Sequence, residues 1–363
     1  MPFDPLSAPL LLTSDLPGIG GQIKQSPEDF EVEEIPAYAP SGQGDFLYLW
    51  IEKRDLGAEY FIRQIARRLE ISTAEVGSAG MKDRHAVTRQ MVSVPASVAD
   101  RLPNLEGEGI RLLKVDRHGN KLRPGHLHGN RFQIVIRAIN PNSSEILSLV
   151  VERIRSLGLP NYYGPQRFGR EGETVQLGLE LVGGPANEPG PRKKFGRLSP
   201  WMRRLALSAA QSVLFNHYLD TRLTDGLFRR VLPGDRMSKW PYGGLFIAHD
   251  LEREQGRFDA RETVSTGPMF GRKMMEAEGE AALREARVLA AAGLTQSSFH
   301  GFGKLLQGTR RKNLIYIDDL EIHPVPEGVR LCFSMPAGSY ATVLLREFMK
   351  NGKFDGDEHE GTM

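Results

Sequence analysis

Hydrophobic and polar positions switch between two periods along this chain. Residues 30–35 read as a short strand, and FLYLWI over 46–51 is an apolar, aromatic-rich run that fits a strand buried on both faces. From 58 to 69 the spacing becomes helical: Ile62, Ile65, Ala66 and Leu69 form one stripe, and Arg63, Arg67 and Arg68 lie away from it. Residues 91–94 and 132–136 predict further strands, the second with Phe132, Ile134 and Ile136 on one face. Residues 144–157 predict a helix that Gly158 and Pro160 stop.

Beyond Pro160 the text changes. The loop PNYYGPQRFGR leads into two predicted long helices, over 200–223 and 274–292, separated by the turn-rich stretches LPGD and PYGG. After Gly308 a strand (GVRLCFSM) and a final helix over 341–350 follow. Strands and helices do not alternate strictly, which predicts α+β rather than a doubly wound sheet, with a body interrupted by an inserted domain. About the first 16 residues and the polar tail from 351 read as loosely ordered ends.

The 363 residues are 40% hydrophobic and 25% charged, enough chain for about two domains of roughly 150 residues. The lone cysteine, Cys332, rules out a disulfide framework within the chain and any multi-cysteine zinc site; its alternating strand predicts a core position. No run approaches the ~18 apolar residues of a membrane span, and the N-terminal apolar run has no basic flank. A soluble, cytoplasmic protein is expected.

Net charge is only +2, yet basic residues gather. Arg111, Lys114, Arg117, Lys121, Arg123 and Arg131 face one acid, Asp116, within their stretch; Arg192, Lys193, Lys194, Arg197, Arg203 and Arg204 face none in theirs; Arg310, Arg311 and Lys312 form a third cluster. Such runs serve either as solvated faces or as a phosphate-binding surface, and three of them favour RNA. Other chemistry is thin. Gly18, Gly20 and Gly21 lack the GK[ST] of a phosphate loop; His126 and His128 have no third metal ligand at a recognisable spacing; and the sequon at Asn142 matters only in a secreted chain.

The stretch GMKDRHAVTRQ, residues 80–90, sets Asp83 among Lys82, Arg84 and His85. Cations of this kind keep a partly desolvated carboxylate ionised, as a nucleophile or general base requires, although KDRH also suits an exposed turn. The stretch resembles the catalytic motif of the TruD family of tRNA pseudouridine synthases. Further matches follow in the family's order: IKQSPEDFEVEEI (23–35), GHLHGNRFQIVIR (125–137), PNYYGPQRFG (160–169) and MPAGSYATVLLRE (335–347).

The resemblance covers nearly the whole chain. It implies a pseudouridine synthase catalytic domain, with a mixed or antiparallel sheet and helices, over 1–158 and 309–363. It implies an inserted α/β TRUD domain over 159–308. The implied reaction isomerises uridine, at position 13 in the D-arm of tRNA, to pseudouridine without a cofactor or metal. No obligatory protein partner and no membrane are implied.

Carried over by motif, Asp83 is the catalytic carboxylate, and Lys24 sits close enough to pair with it. Phe30, Asn130, Phe132 and Tyr340 contact or stack on the target base; relatives often have Phe where Tyr340 stands. Asp83 attacks base C6, attacks sugar C1′ or assists a glycal route; the residues do not choose. Each role has a plainer alternative: a surface lysine for Lys24, strand-core rings for Phe30 and Phe132, a turn former for Asn130 beside Gly129. An RNA-binding or RNA-folding protein without the reaction, or a metal-dependent hydrolase built on His126 and His128, would share parts of this text.

Overall fold

Alternating strands of the N-terminal region meet the strand that follows Gly328, so sequence-distant segments share one sheet. The computed structural model describes residues 2–183 and 196–351. The chain divides into two units, Met1–Ser14 with Ser156–Tyr316, and Asp15–Arg155 with Ile317–Met363.

The second of these is built on a nine-stranded sheet. Its strands are β1 (Gly20–Gln22), β2 (Phe30–Pro36), β3 (Phe46–Arg54), β4 (Gly77–Ser78), β5 (Val87–Pro95), β6 (Ile110–His118) and β7 (Leu127–Ile139). Following β8 to β13 in the other unit, β14 (Glu321–Val325) and β15 (Gly328–Pro336) complete it. The order is β14-β15-β7-β2-β5-β3-β6, with β1 beside β7 and β4 beside β5. Only the β2–β5 pair is parallel, so the sheet is mixed.

Helix α1 (Ala58–Arg68) lays Phe61, Ile65 and Ala66 on a core that includes Leu47, Leu49 and Ile51 of β3 and Val92 and Val94 of β5. Each of the larger side chains contributes roughly 1.5–3 kcal/mol by leaving water, and Ala66 less. The second helix, α2 (Ser144–Leu157), ends at Gly158, whose φ of +81° suits a residue without a side chain.

In the first unit, α3 (Glu173–Gly183) crosses α4 (Pro200–Thr224) closely enough that a Cβ on Gly178 would meet the Ala206 carbonyl oxygen at 2.0 Å. Helix α4 starts on Ser199, whose hydroxyl accepts the Met202 amide at 3.2 Å. Most of its length from Ala206 to Asp220 is buried, which is why it shows little amphipathic pattern. Two short strands, β8 (Leu159–Pro160) and β13 (Leu314–Ile315), pair with each other. The remaining strands, β9 (Arg236–Lys239), β10 (Leu245–Ile247), β11 (Thr263–Met269) and β12 (Thr309–Lys312), form an antiparallel sheet ordered β10-β9-β11-β12. Helices α5 (Leu251–Asp259) and α6 (Gly279–Ala291) complete this unit, and α7 (Ala341–Met349) ends the other.

The mixed α+β architecture expected from the sequence is present. Several local expectations change. The predicted 274–292 helix begins only at Gly279, whose φ is +52°, because the Glu278 amide bonds the Gly234 carbonyl instead of the carbonyl four residues back. Residues 2–14 are not a loose end: the Leu10 amide donates to Asp220 at 2.8 Å and Phe3 packs edge-on against His217. The tail beyond Asn351 lies outside the described residues. Cys332 is half-buried rather than core, since β15 turns Leu331 and Phe333 inward and leaves Cys332 on the opposite face.

Candidate active site

The segment between β4 and β5 carries Asp83, and three side chains tie it to the sheet. Lys82 Nζ donates to Glu34 at 2.6 Å, His85 Nδ1 lies 2.9 Å from Asp55, and Lys53 Nζ donates to the Asp83 carbonyl oxygen at 2.7 Å. Glu34 occupies a core position on β2, on the face shared with Phe30 and Val32; its second oxygen accepts the Met91 amide at 2.9 Å. The neighbouring Met81 is 82% exposed, so the segment presents both an apolar and an acidic side chain outward.

Lys24 reaches the same carboxylate from the link between β1 and β2. Its Nζ is 3.6 Å from Asp83 Oδ2; the lysine side chain is 7% exposed and the aspartate side chain 38%. The ammonium also stands 4.5 Å from the centroid of the Phe30 ring, a cation–π distance. The link is anchored one turn later, where Asp29 accepts both Arg137 Nε at 2.8 Å and Arg137 NH2 at 2.7 Å. Burial opposes ionisation of Asp29, but the Arg137 guanidinium and the Ser26 amide outweigh it and hold the carboxyl below its usual range.

Phe30, Phe132 and Phe333 form a ring cluster. Phe132 packs edge-on to Phe30 at 6.3 Å between centroids and stacks on Phe333 at 5.1 Å. Phe30 is 2% and Phe132 7% exposed, so both fill core space whatever else they touch. Asn130 stands opposite Glu34 on β2 and Met335 on β15. Its Oδ1 is buried and has no hydrogen-bond partner. Next to it, a Cβ on Gly129 would meet the Met335 carbonyl oxygen at 2.2 Å, so the close approach of β7 to β15 requires glycine. The Ala337 amide donates to the His128 carbonyl at 2.9 Å, which pins the turn leading to half-buried Tyr340 against the Asn130 end of β7. Tyr340 is the residue on which α7 starts.

Thus Lys24 meets both Asp83 and Phe30 directly, Phe132 joins them through Phe30, and Asn130 and Tyr340 stand near where β7 begins and β15 ends. Sequence reasoning missed Lys53, Glu34 and Phe333. The signal for two of them was a charge in the apolar phase of a strand: Lys53 follows Leu47, Leu49 and Ile51, and Glu34 follows Phe30 and Val32.

The other sequence candidates have other partners. His126 Nδ1 is 2.6 Å from the Tyr38 hydroxyl, and among the described residues no group of three or more His, Cys, Asp or Glu could hold a metal ion. In the first basic cluster Arg111, Lys114 and Arg117 lie exposed on β6, an edge strand that the sequence reading did not identify. Arg192, Lys193 and Lys194 fall outside the described residues. The third cluster is not a phosphate surface as a whole: Arg310 is buried in a two-bond pair with Glu285, and Arg311 stacks 4.0 Å from the Tyr163 centroid while donating to Asn161. Tyr162 and Tyr163 of PNYYG likewise serve the fold, through Asp220 at 2.6 Å and Asn216 at 2.8 Å. No helix among the described residues is long and apolar enough to cross a membrane.

A family model described as TruD, tRNA pseudouridine synthase D, matches residues 9–189 and 186–348. A tRNA pseudouridine synthase D of an Anaeromyxobacter species is 43% identical over 343 residues, covering 94% of this chain and 96% of the relative. The protein of that name from Thermus thermophilus is 43% identical over 350 residues, covering 96% and 94%. A crystal structure assigned to tRNA pseudouridine synthase D of Methanosarcina mazei superposes with a TM-score of 0.79 at 25% identity, covering 95% of this chain and 97% of that one.

Proposed function

From the premise that the chain belongs to the TruD family of tRNA pseudouridine synthases, we propose that Asp83 is the essential carboxylate of uridine isomerisation at position 13 of tRNA. The observation that carries this reading is the Lys24–Asp83 pair: a buried ammonium beside a carboxylate that remains 38% exposed to a substrate. In this reading the catalytic body runs over 1–158 and 309–363 and the insertion of the family over 159–308; the division of the chain into Asp15–Arg155 with Ile317–Met363 and Met1–Ser14 with Ser156–Tyr316 supports it.

The reaction breaks the N1–C1′ bond, turns the uracil and joins C5 to C1′. The proton lost from C5 is balanced by the one gained at N1, so neither an oxidant nor a group donor enters. A uridine inside folded tRNA is first turned out of its stack, and the extruded base needs an aromatic face and edge hydrogen bonds. Asn130 supplies the acceptor for the base edge, and Tyr340 a ring beside it. Phe30 and Phe132 support the pocket wall through packing. Asp83 then acts as a nucleophile at base C6 or sugar C1′, or as the base of a glycal route. The enzyme works on tRNA in the cytoplasm. Pseudouridine mapping of cellular tRNA with and without the gene tests the reading: loss of the modification at position 13 supports it, and an unchanged map refutes it.

A further inference from the structure

We propose that Lys53 is a positioning residue for the isomerisation: its ammonium grips the Asp83 carbonyl oxygen and thereby fixes the main chain from which the catalytic carboxylate projects. The inference rests on the reading of Asp83 as the catalytic group. Lys53 is fully buried, at 0% exposure, on the β3 face shared with Leu47, Leu49 and Ile51. A hydrocarbon side chain would fill that layer at lower desolvation cost. Instead Nζ donates to two main-chain oxygens, Leu56 at 2.6 Å and Asp83 at 2.7 Å. One ammonium therefore joins the end of β3 to the catalytic segment.

Other ties flank that contact. Lys82 holds the segment to Glu34 at 2.6 Å, and the Asp55 amide donates to the Ala86 carbonyl at 3.1 Å. The Lys53 bond falls on Asp83 itself. A shift of about 1 Å in a reacting group is enough to cost on the order of 100-fold in rate, so a bond at this place controls reaction more than binding.

The charges around Lys53 make the grip sensitive to pH. Burial draws the ammonium down to about 8; Asp83 and Asp55 hold its proton, and Lys82 opposes it. Its register partners on β5 and β6, Thr88 and Ile110, are uncharged. When the proton leaves, the charge-assisted bonds to the two carbonyls weaken.

The test is single-turnover pseudouridine formation on a full-length tRNA transcript, with the intact protein in excess, from about pH 6.5 to 9.5. Binding of the same tRNA is measured in parallel. The wild-type rate falls with a midpoint near 8 while tRNA affinity holds within about twofold. Lys53→Arg keeps its charge across this range and lacks the falling limb. At neutral pH, Lys53→Met reacts about 10–100-fold more slowly at unchanged tRNA affinity. A wild-type limb that persists in Lys53→Arg, or a Lys53→Met loss that follows affinity, overturns the proposal. If Lys53→Met does not fold, the comparison of wild type with Lys53→Arg decides alone. A wild-type protein that makes no pseudouridine at any pH overturns the functional reading instead, and this inference with it.

Discussion

Lys24 Nζ stands 3.6 Å from Asp83 Oδ2, and it arrives there from a backbone held at a φ of +57°. A left-handed lysine costs about 1 kcal/mol or more, and burying its ammonium beside a half-open carboxylate costs further desolvation. Packing needs neither feature. Both place a positive charge beside the acid and over the face of the Phe30 ring.

Replacing Lys24 with Met should therefore slow single-turnover pseudouridine formation by about 100-fold, the usual scale for losing one preorganised electrostatic partner. The melting temperature should stay within a few degrees. A rate close to wild type would reduce Lys24 to a packing residue.

Asn130 offers the opposite separation of stability and activity. Its buried, unpartnered Oδ1 already weighs against the folded state, since a group of this kind costs about 1–3 kcal/mol. Asn130→Leu should leave urea stability equal or higher and lower the rate at least about tenfold, because the base edge loses its partner. A variant that loses stability and keeps its rate would show that the amide serves the fold.

The Asp29–Arg137 pair predicts a pH-dependent anchor for the Lys24 link. Asp29 is buried, and its carboxyl is held below the usual range, so the pair's contribution is fully present above the unfolded value near 3.8 and fades as pH falls through the lower folded value. Arg137→Met should destabilise the fold at pH 7, because it leaves the buried Asp29 carboxylate without its guanidinium partner. That difference should shrink in urea titrations below about pH 4, where the isolated carboxylate is protonated. A gap that stays constant from neutral to acid pH would contradict this.

The strands of the site were legible because alternation marks them: Phe132, Ile134 and Ile136 do share a buried face, and the 46–51 run is the buried start of β3. The pairing of Lys24 with Asp83 was not legible from spacing, since it depends on how β2, β5 and β7 are ordered; only the order of motifs along the chain suggested it. Charge runs misled where partners come from far away. Arg310 looked like a surface cation, and Glu285 on α6 makes it a buried one. Lys82 looked like part of an exposed turn, and Glu34 buries it. Edge strand β6 escaped because most of its side chains are exposed or only half-buried, so no apolar period marks it.

The central claim concerns Asp83, and loss of C5 hydrogen reports on it directly. Purified protein mixed with tRNA carrying tritium at uridine C5 should release tritium to water, and Asp83→Asn, which keeps the shape and removes the charge, should release none while still binding the tRNA. Release by Asp83→Asn at the wild-type rate would contradict the account.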